Sequence, residues 1–292
     1  MAIFTGCGVA IVTPQCGGKV DFDALGKLVE WHIAEGTDCI VVCGTTGEAS
    51  TLTEEEHYKT VKYVVDKVAK RIPVIAGTGS NNTAHGIQLS KRAEEAGADG
   101  LLCVSPYYNK ATARGLIQHY TAYADSVTIP MILYSVPSRT GLNITPAVAK
   151  ELKKHPNIVG IKEASGNISQ IVEMSRLIDD NFSLYSGNDD HVVPVLSMGG
   201  SGVISTVANI APKDTHEMVM KFFQGDLVGA REIQLKQKPL IDAVFAEVNP
   251  IPIKAALHLM GKCQLEYRLP MCPPEDATIE RLQREMKAYG IL

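Results

Sequence analysis

The sequence predicts an α/β protein: a (β/α)8 TIM barrel with a C-terminal helical appendage. Three observations carry this. Short apolar runs recur eight times, mostly about 25 to 35 residues apart, the length of one β-α unit. Between them lie stretches with helical spacing and capping signals. After Ala208 the strand signal stops and the chain reads as helix. The alternative, a doubly wound open sheet, would usually carry a Gly-x-Gly-x-x-Gly turn after its first strand. Thr13-Pro14-Gln15-Cys16-Gly17-Gly18 does not match it.

The expected strands are residues 8–13, 39–44, 73–77, 100–105, 130–135, 158–162, 183–186 and 202–206. Helical patterns fill 23–35, 54–70, 84–96, 115–126 and 147–155. Thr53 before Glu54-Glu55-Glu56 forms a capping box, and Thr145-Pro146 places proline at a first helical position. Glycine closes other helices, as at Glu35-Gly36 and Ala96-Gly97. Beyond Pro212 the pattern gives helices at 213–223, 227–245, 252–260 and 275–289. The expected division is a catalytic barrel over 1–224 and a helical region over 225–292, packed on it without a linker.

Composition narrows the function. Apolar residues make up 45% and charged residues 21% of the 292, ordinary for a soluble globular protein. A net charge of −4, with no basic cluster among aromatics, argues against nucleic-acid binding. The most apolar long stretch, 192–210, is broken by Gly199-Gly200-Ser201-Gly202, so no membrane partner is expected. The N-terminus lacks a charged region followed by an apolar one, so no signal peptide is expected. Seven cysteines without a Cys-x-x-Cys pair suit a reducing, cytoplasmic setting. Eight histidines are scattered without ligand spacing, so no metal is expected.

Barrel chemistry sits at the C-terminal ends of the strands. There the sequence places Gly44-Thr45-Thr46-Gly47-Glu48, Pro106-Tyr107-Tyr108-Asn109, Tyr134 to Gly141, Lys162 and Ser186-Gly187-Asn188-Asp189. Lys162 ends an apolar strand, where desolvation lowers an amine's pKa and frees it as a nucleophile for a carbonyl carbon. Lysines at strand ends commonly reach solvent or pair with a carboxylate, and Glu163 is adjacent. A strand-end tyrosine is commonly the edge of a core, and a Gly-Thr-Thr-Gly turn alone says little. The coincidence on one rim decides for chemistry. It gathers an amine, phenols, paired threonine hydroxyls and the Arg139 guanidinium, which suits carboxylate recognition.

These motifs, with Ala76-Gly77-Thr78-Gly79, Gly160-Ile161-Lys162-Glu163-Ala164 and Asn249-Pro250-Ile251-Pro252-Ile253-Lys254, stand in one family's order across essentially the whole chain. The chain resembles the dihydrodipicolinate synthase family, among the pyruvate-dependent class I aldolases that include N-acetylneuraminate lyase. The resemblance implies a lyase of diaminopimelate and lysine biosynthesis that joins pyruvate to L-aspartate 4-semialdehyde. Lys162 would form the imine, with no other cofactor, because the imine is itself the electron sink. Tyr134 would be the general acid/base, and Thr46 and Tyr108 would complete a hydroxyl relay. Thr45 and Thr46 would hold the pyruvate carboxylate, Gly187 and Ile204 would line the pocket through their backbone, and Arg139 would bind the second substrate. Tyr108 would serve a neighbouring subunit, in a homo-oligomer built as a dimer of tight dimers.

Arg139 and Thr45 favour this reading over a lyase for N-acetylneuraminate or another 2-keto-3-deoxy sugar acid. A non-catalytic sensing barrel would not need a nucleophilic amine. Ser135 departs from the family's usual asparagine, with a slight effect on strand packing expected. A lysine-binding regulatory site is implied at Ala49, Ser50, His57, Asn81, His85 and Tyr107. However, Glu54 stands where histidine is usual and His85 where glutamate is usual. Losing that carboxylate removes a partner for an effector's ammonium, a bond of about 1.5–3 kcal/mol. Lysine inhibition is therefore expected to be weak or absent.

Overall fold

The structure is a computed structural model and describes residues 2–292. Eight parallel strands close into a barrel: β1 (Gly6–Ala10), β2 (Cys39–Val42), β3 (Val74–Gly77), β4 (Gly100–Val104), β5 (Met131–Ser135), β6 (Ile158–Glu163), β7 (Ser183–Ser186) and β8 (Gly202–Ser205). The ring shuts where Gly8 of β1 pairs with Ile204 on one side and Cys39 on the other. Each strand is followed by a helix: α1 (Phe22–Ala34), α2 (Glu54–Val68), α3 (Thr83–Glu95), α4 (Ala113–Asp125), α5 (Pro146–Leu152), α6 (Ile168–Ser175), α7 (Val192–Ser197) and α8 (Pro212–Phe223). Three helices extend the chain, α9 (Leu227–Val244), α10 (Ile251–Leu259) and α11 (Asp276–Tyr289). Helix α9 packs on α8 and α11, and α10 on α11.

Local signals act as the sequence suggests. The Thr53 capping box forms with Glu56, and the Thr145 hydroxyl caps α5. Gly36 and Gly97 adopt positive φ just beyond α1 and α3.

The first strand is offset from expectation, running from Gly6 to Ala10 and not over 8–13. Ile11 and Val12 are fully buried, which explains the longer apolar run. But the Val12 N–H donates to the Asn209 side chain at 3.0 Å, so the ladder ends early. A two-stranded hairpin, Gln15–Cys16 with Lys19–Val20, was also not anticipated, because two-residue strands leave no periodic signal.

Alternation along the strands sorts two cores. Cys39, Val41, Ile132 and Ile204 belong to the cluster that fills the barrel, with Phe4 stacked on Tyr185 at 4.6 Å. Ile40, Val42, Leu133 and Ile161 belong to the larger cluster beneath the helices. One irregularity matters for the site. Met131 pairs with Ile158, but Ile132 pairs with Gly160, so Val159 is an extra residue in β6. Simple alternation from the outward Ile158 would turn Lys162 outward. The bulge reverses the parity, and Lys162 lines up with the inward Tyr134.

Candidate active site

The barrel's C-terminal mouth holds a cavity of ≈190 Å³. Lys162 enters it from β6, with Tyr134 on one neighbouring strand and Tyr185 on the other. Its Nζ lies 4.4 Å from the centre of the Tyr134 ring. Burial drives the Lys162 pKa down to about 8; the Asp189 carboxylate opposes this and Arg139 adds to it. Glu163 does not neutralise the amine. Its carboxylate accepts from the Ser165 N–H at 2.7 Å and the Gln170 amide at 3.1 Å.

Tyr134 is 8% exposed, and burial raises its pKa, with Arg139 and a hydrogen-bonding Thr45 side chain pulling the other way. Thr45, Thr46, Arg139 and Gly187 all line the same cavity. A Cβ on Gly187 would stand 2.7 Å from the Ala164 Cβ and 3.1 Å from the Lys162 Cε, so only glycine leaves the lysine its room. Ile204 is buried in the inner cluster with Tyr134 and Ala164 but does not line the cavity. Tyr108 stands apart: it is 91% exposed, at φ 71°, on the loop after β4.

Of the positions read as regulatory, Ala49, Ser50, His57, His85 and Tyr107 line a neighbouring cavity of ≈460 Å³, which also reaches Thr45, Tyr134 and Arg139. Asn81 does not line it, but donates to the Tyr107 carbonyl at 3.2 Å. His57 Nε2 is bonded to the Gly77 carbonyl oxygen at 2.8 Å. Glu54 and His85, the two departures, meet each other: the imidazole Nε2 is 3.4 Å from the Glu54 carboxylate. Ser135 is fully buried. Its hydroxyl donates to Asn143 and accepts from the Ile144 N–H, both at 3.1 Å, which ties the strand end to the loop that follows.

Sequence reading assigned no role to three groups that the fold brings here. Asp189 is buried, and burial raises its pKa. Its carboxylate accepts from the Ser205 hydroxyl and the Thr206 and Val207 N–H groups. Asn249 lines the cavity and donates to the Thr46 hydroxyl at 3.0 Å. Lys254 and Glu48 form a fully buried ion pair at 2.6 Å. Their motifs were visible, but no local pattern announces partners 203 and 206 residues apart.

Comparison with known proteins gives the family. A model of the dihydrodipicolinate synthetase family matches residues 3–289. A 4-hydroxy-tetrahydrodipicolinate synthase of Thermoanaerobacter sp. is 53% identical over 293 residues, covering 100% of this chain and 99% of its own. One from Clostridium tetani is 52% identical and covers 100% of both. The crystal structure of dihydrodipicolinate synthase from Thermotoga maritima is 42% identical, covers 100% of both chains and gives a TM-score of 0.98. That of the chloride-inhibited enzyme from Acinetobacter baumannii, complexed with pyruvate, is 45% identical, covers 99% of each and gives 0.96. The chain belongs to the dihydrodipicolinate synthetase family.

Proposed function

We propose that this chain is a lyase catalysing the 4-hydroxy-tetrahydrodipicolinate synthase reaction, the condensation of pyruvate with L-aspartate 4-semialdehyde. The observation that carries it is the Lys162 amine, buried against Tyr134 with its pKa held down at about 8. With its pKa near 8, such an amine has a far larger neutral fraction near neutral pH than an ordinary lysine, and the neutral form attacks the ketone carbon of pyruvate, with loss of water, to give an imine. The protonated imine draws electrons from the adjacent methyl, which loses a proton and becomes an enamine carbon nucleophile. That carbon attacks the aldehyde of the second substrate. The substrate's own amine then displaces Lys162 and closes the ring.

The cavity's hydroxyls supply the proton transfers. Tyr134, whose ring lies against the amine, acts as general acid/base. Thr46 continues the relay, and Thr45 and Thr46 hold the pyruvate carboxylate beside Gly187. Arg139 recognises the carboxylate of the aldehyde substrate, and its charge adds to the lowering of the amine's pKa that burial causes. Tyr108, projecting into solvent on its own chain, is offered to a second copy of the chain in a homo-oligomer. Ile204 contributes from the barrel wall.

The cavity lined by Ala49, Ser50, His57, His85 and Tyr107 is the place for a regulatory effector, with Asn81 beside it. The protein works in the cytoplasm, in keeping with its free cysteines, five of them buried. Among the described residues no helix is long and apolar enough to cross a membrane.

Borohydride trapping with pyruvate, followed by intact mass and peptide mapping, tests the assignment. A pyruvyl adduct on Lys162, absent from Lys162→Ala, is expected. No adduct, or one elsewhere, would overturn it.

A further inference from the structure

Thr46 is held from the far end of the chain. Asn249 is 5% exposed, and its Nδ2 donates to Thr46 Oγ1 at 3.0 Å. Its Oδ1 is buried and finds no partner among the described residues, so donation to Thr46 is what orients the amide. Five residues on, Lys254 holds Glu48, two residues after Thr46. One C-terminal segment therefore pins the strand-two loop at two points.

A threonine hydroxyl has one proton and two acceptor lone pairs, whereas an amide N–H can only donate. Thr46 must accept from Asn249, so its single proton is left for the other side, the cavity that also holds Tyr134 and Lys162. We infer that Asn249 is a positioning residue that sets the polarity of the Thr46 hydroxyl, making it a donor toward the reacting centre. The inference rests on the function proposed above and deepens it.

Aspartate has nearly the shape of asparagine and the opposite polarity. In Asn249→Asp the carboxylate accepts the Thr46 proton and turns it away from the cavity. In Asn249→Ala the hydroxyl is merely released. If Asn249 only filled space, the near-isosteric aspartate would be the milder change. With polarity as its role, aspartate is the worse.

The test compares wild type, Asn249→Asp and Asn249→Ala by kcat and KM for pyruvate from acid to alkaline pH. Borohydride trapping and melting temperature are measured alongside. The expected result is a kcat lowered on the order of a hundredfold by aspartate, the scale of a lost proton transfer. Alanine is expected to cost about tenfold, the scale of one lost hydrogen bond. KM for pyruvate rises as well, since Thr46 also holds the pyruvate carboxylate, and at saturating pyruvate the adduct on Lys162 is retained. The ratio of Asn249→Asp to wild-type kcat should rise as pH falls, because the protonated acid donates again. Aspartate no worse than alanine, with a flat ratio, would overturn the inference.

A cycle with Thr46→Val gives an answer even if the buried aspartate fails to fold. Acting through Thr46, Asn249→Ala costs nothing further in the Thr46→Val background, read by deuterium exchange at the pyruvate methyl. Additive losses would refute it. Wild type that forms no adduct would instead refute the proposed function itself.

Discussion

Lys162 and Tyr134 lie directly opposite each other on adjacent barrel strands, the amine 4.4 Å from the centre of the phenol ring. The proposed nucleophile and its proposed acid/base partner are thus set on β-structure, and the same burial acts on both. It lowers the pKa of the amine and raises that of the phenol, so in each group the neutral form is favoured.

The first prediction concerns pH. Attack needs the neutral amine, so the rate of imine formation should rise as pH increases through about 8 and level off above it. A lysine at its ordinary pKa of about 10.4 would still be gaining at pH 10. Trapping rates at fixed pyruvate, measured across this range, distinguish the two.

Arg139 repels the protonated amine. Removing it in Arg139→Ala relieves the repulsion, so the Lys162 pKa rises and the limb of the profile moves to higher pH. Loss of a charge-assisted bond should also raise KM for the aldehyde substrate by about ten- to a hundredfold. KM for pyruvate should change far less. Steady-state kinetics with each substrate varied in turn provide the check.

Gly187→Ala should impair chemistry without unfolding the barrel. The added methyl meets the Ala164 Cβ at 2.7 Å, the Glu163 carbonyl oxygen at 3.0 Å and the Lys162 Cε at 3.1 Å, so the strand end must shift by a few tenths of an ångström and the lysine end is displaced with it. Misplacing a reacting atom by about 1 Å costs on the order of a hundredfold, which is the fall expected in kcat/KM for pyruvate. An unchanged kcat/KM in a folded variant would show that the lysine has room the structure does not give it.

The Glu48–Lys254 pair should matter for stability as well as for the loop. Glu48→Gln or Lys254→Met alone leaves a buried charge uncompensated, costing about 3–5 kcal/mol. The double replacement should recover much of that. Denaturant melts of the four proteins measure the coupling, and two equal, additive losses would count against the pair.

Weak or absent lysine inhibition is the last expectation. Glu54, a carboxylate beside the departed glutamate position, is already engaged by His85 and by the Gln88 amide. Initial rates with lysine raised through the sub-millimolar range provide the test, and clear inhibition there would show that Glu54 serves the effector after all.

The barrel was legible because strand repetition is a local, periodic signal. Lys162 was legible because a lysine at the end of an apolar run contradicts its surroundings. The direction in which it points was not legible. That depends on the bulge at Val159, and an unbroken apolar run does not disclose which of its residues is extra. The end of β1 was hidden for a related reason. Ile11 and Val12 are as apolar as the strand itself, and only the Asn209 side chain, 197 residues away, shows where the ladder stops. Asn249 stood inside a recognised motif, yet its partner becomes apparent only in three dimensions.

The two pins on the strand-two loop also bear on how the enzyme is made. Asn249 is translated 203 residues after Thr46, and Lys254 206 residues after Glu48. A nascent chain can gather strands as they emerge, from the N-terminus onward. It has no finished threonine loop until α10 has emerged. A premature stop within α9 would therefore leave a chain that has all eight strands but neither pin on its threonine loop.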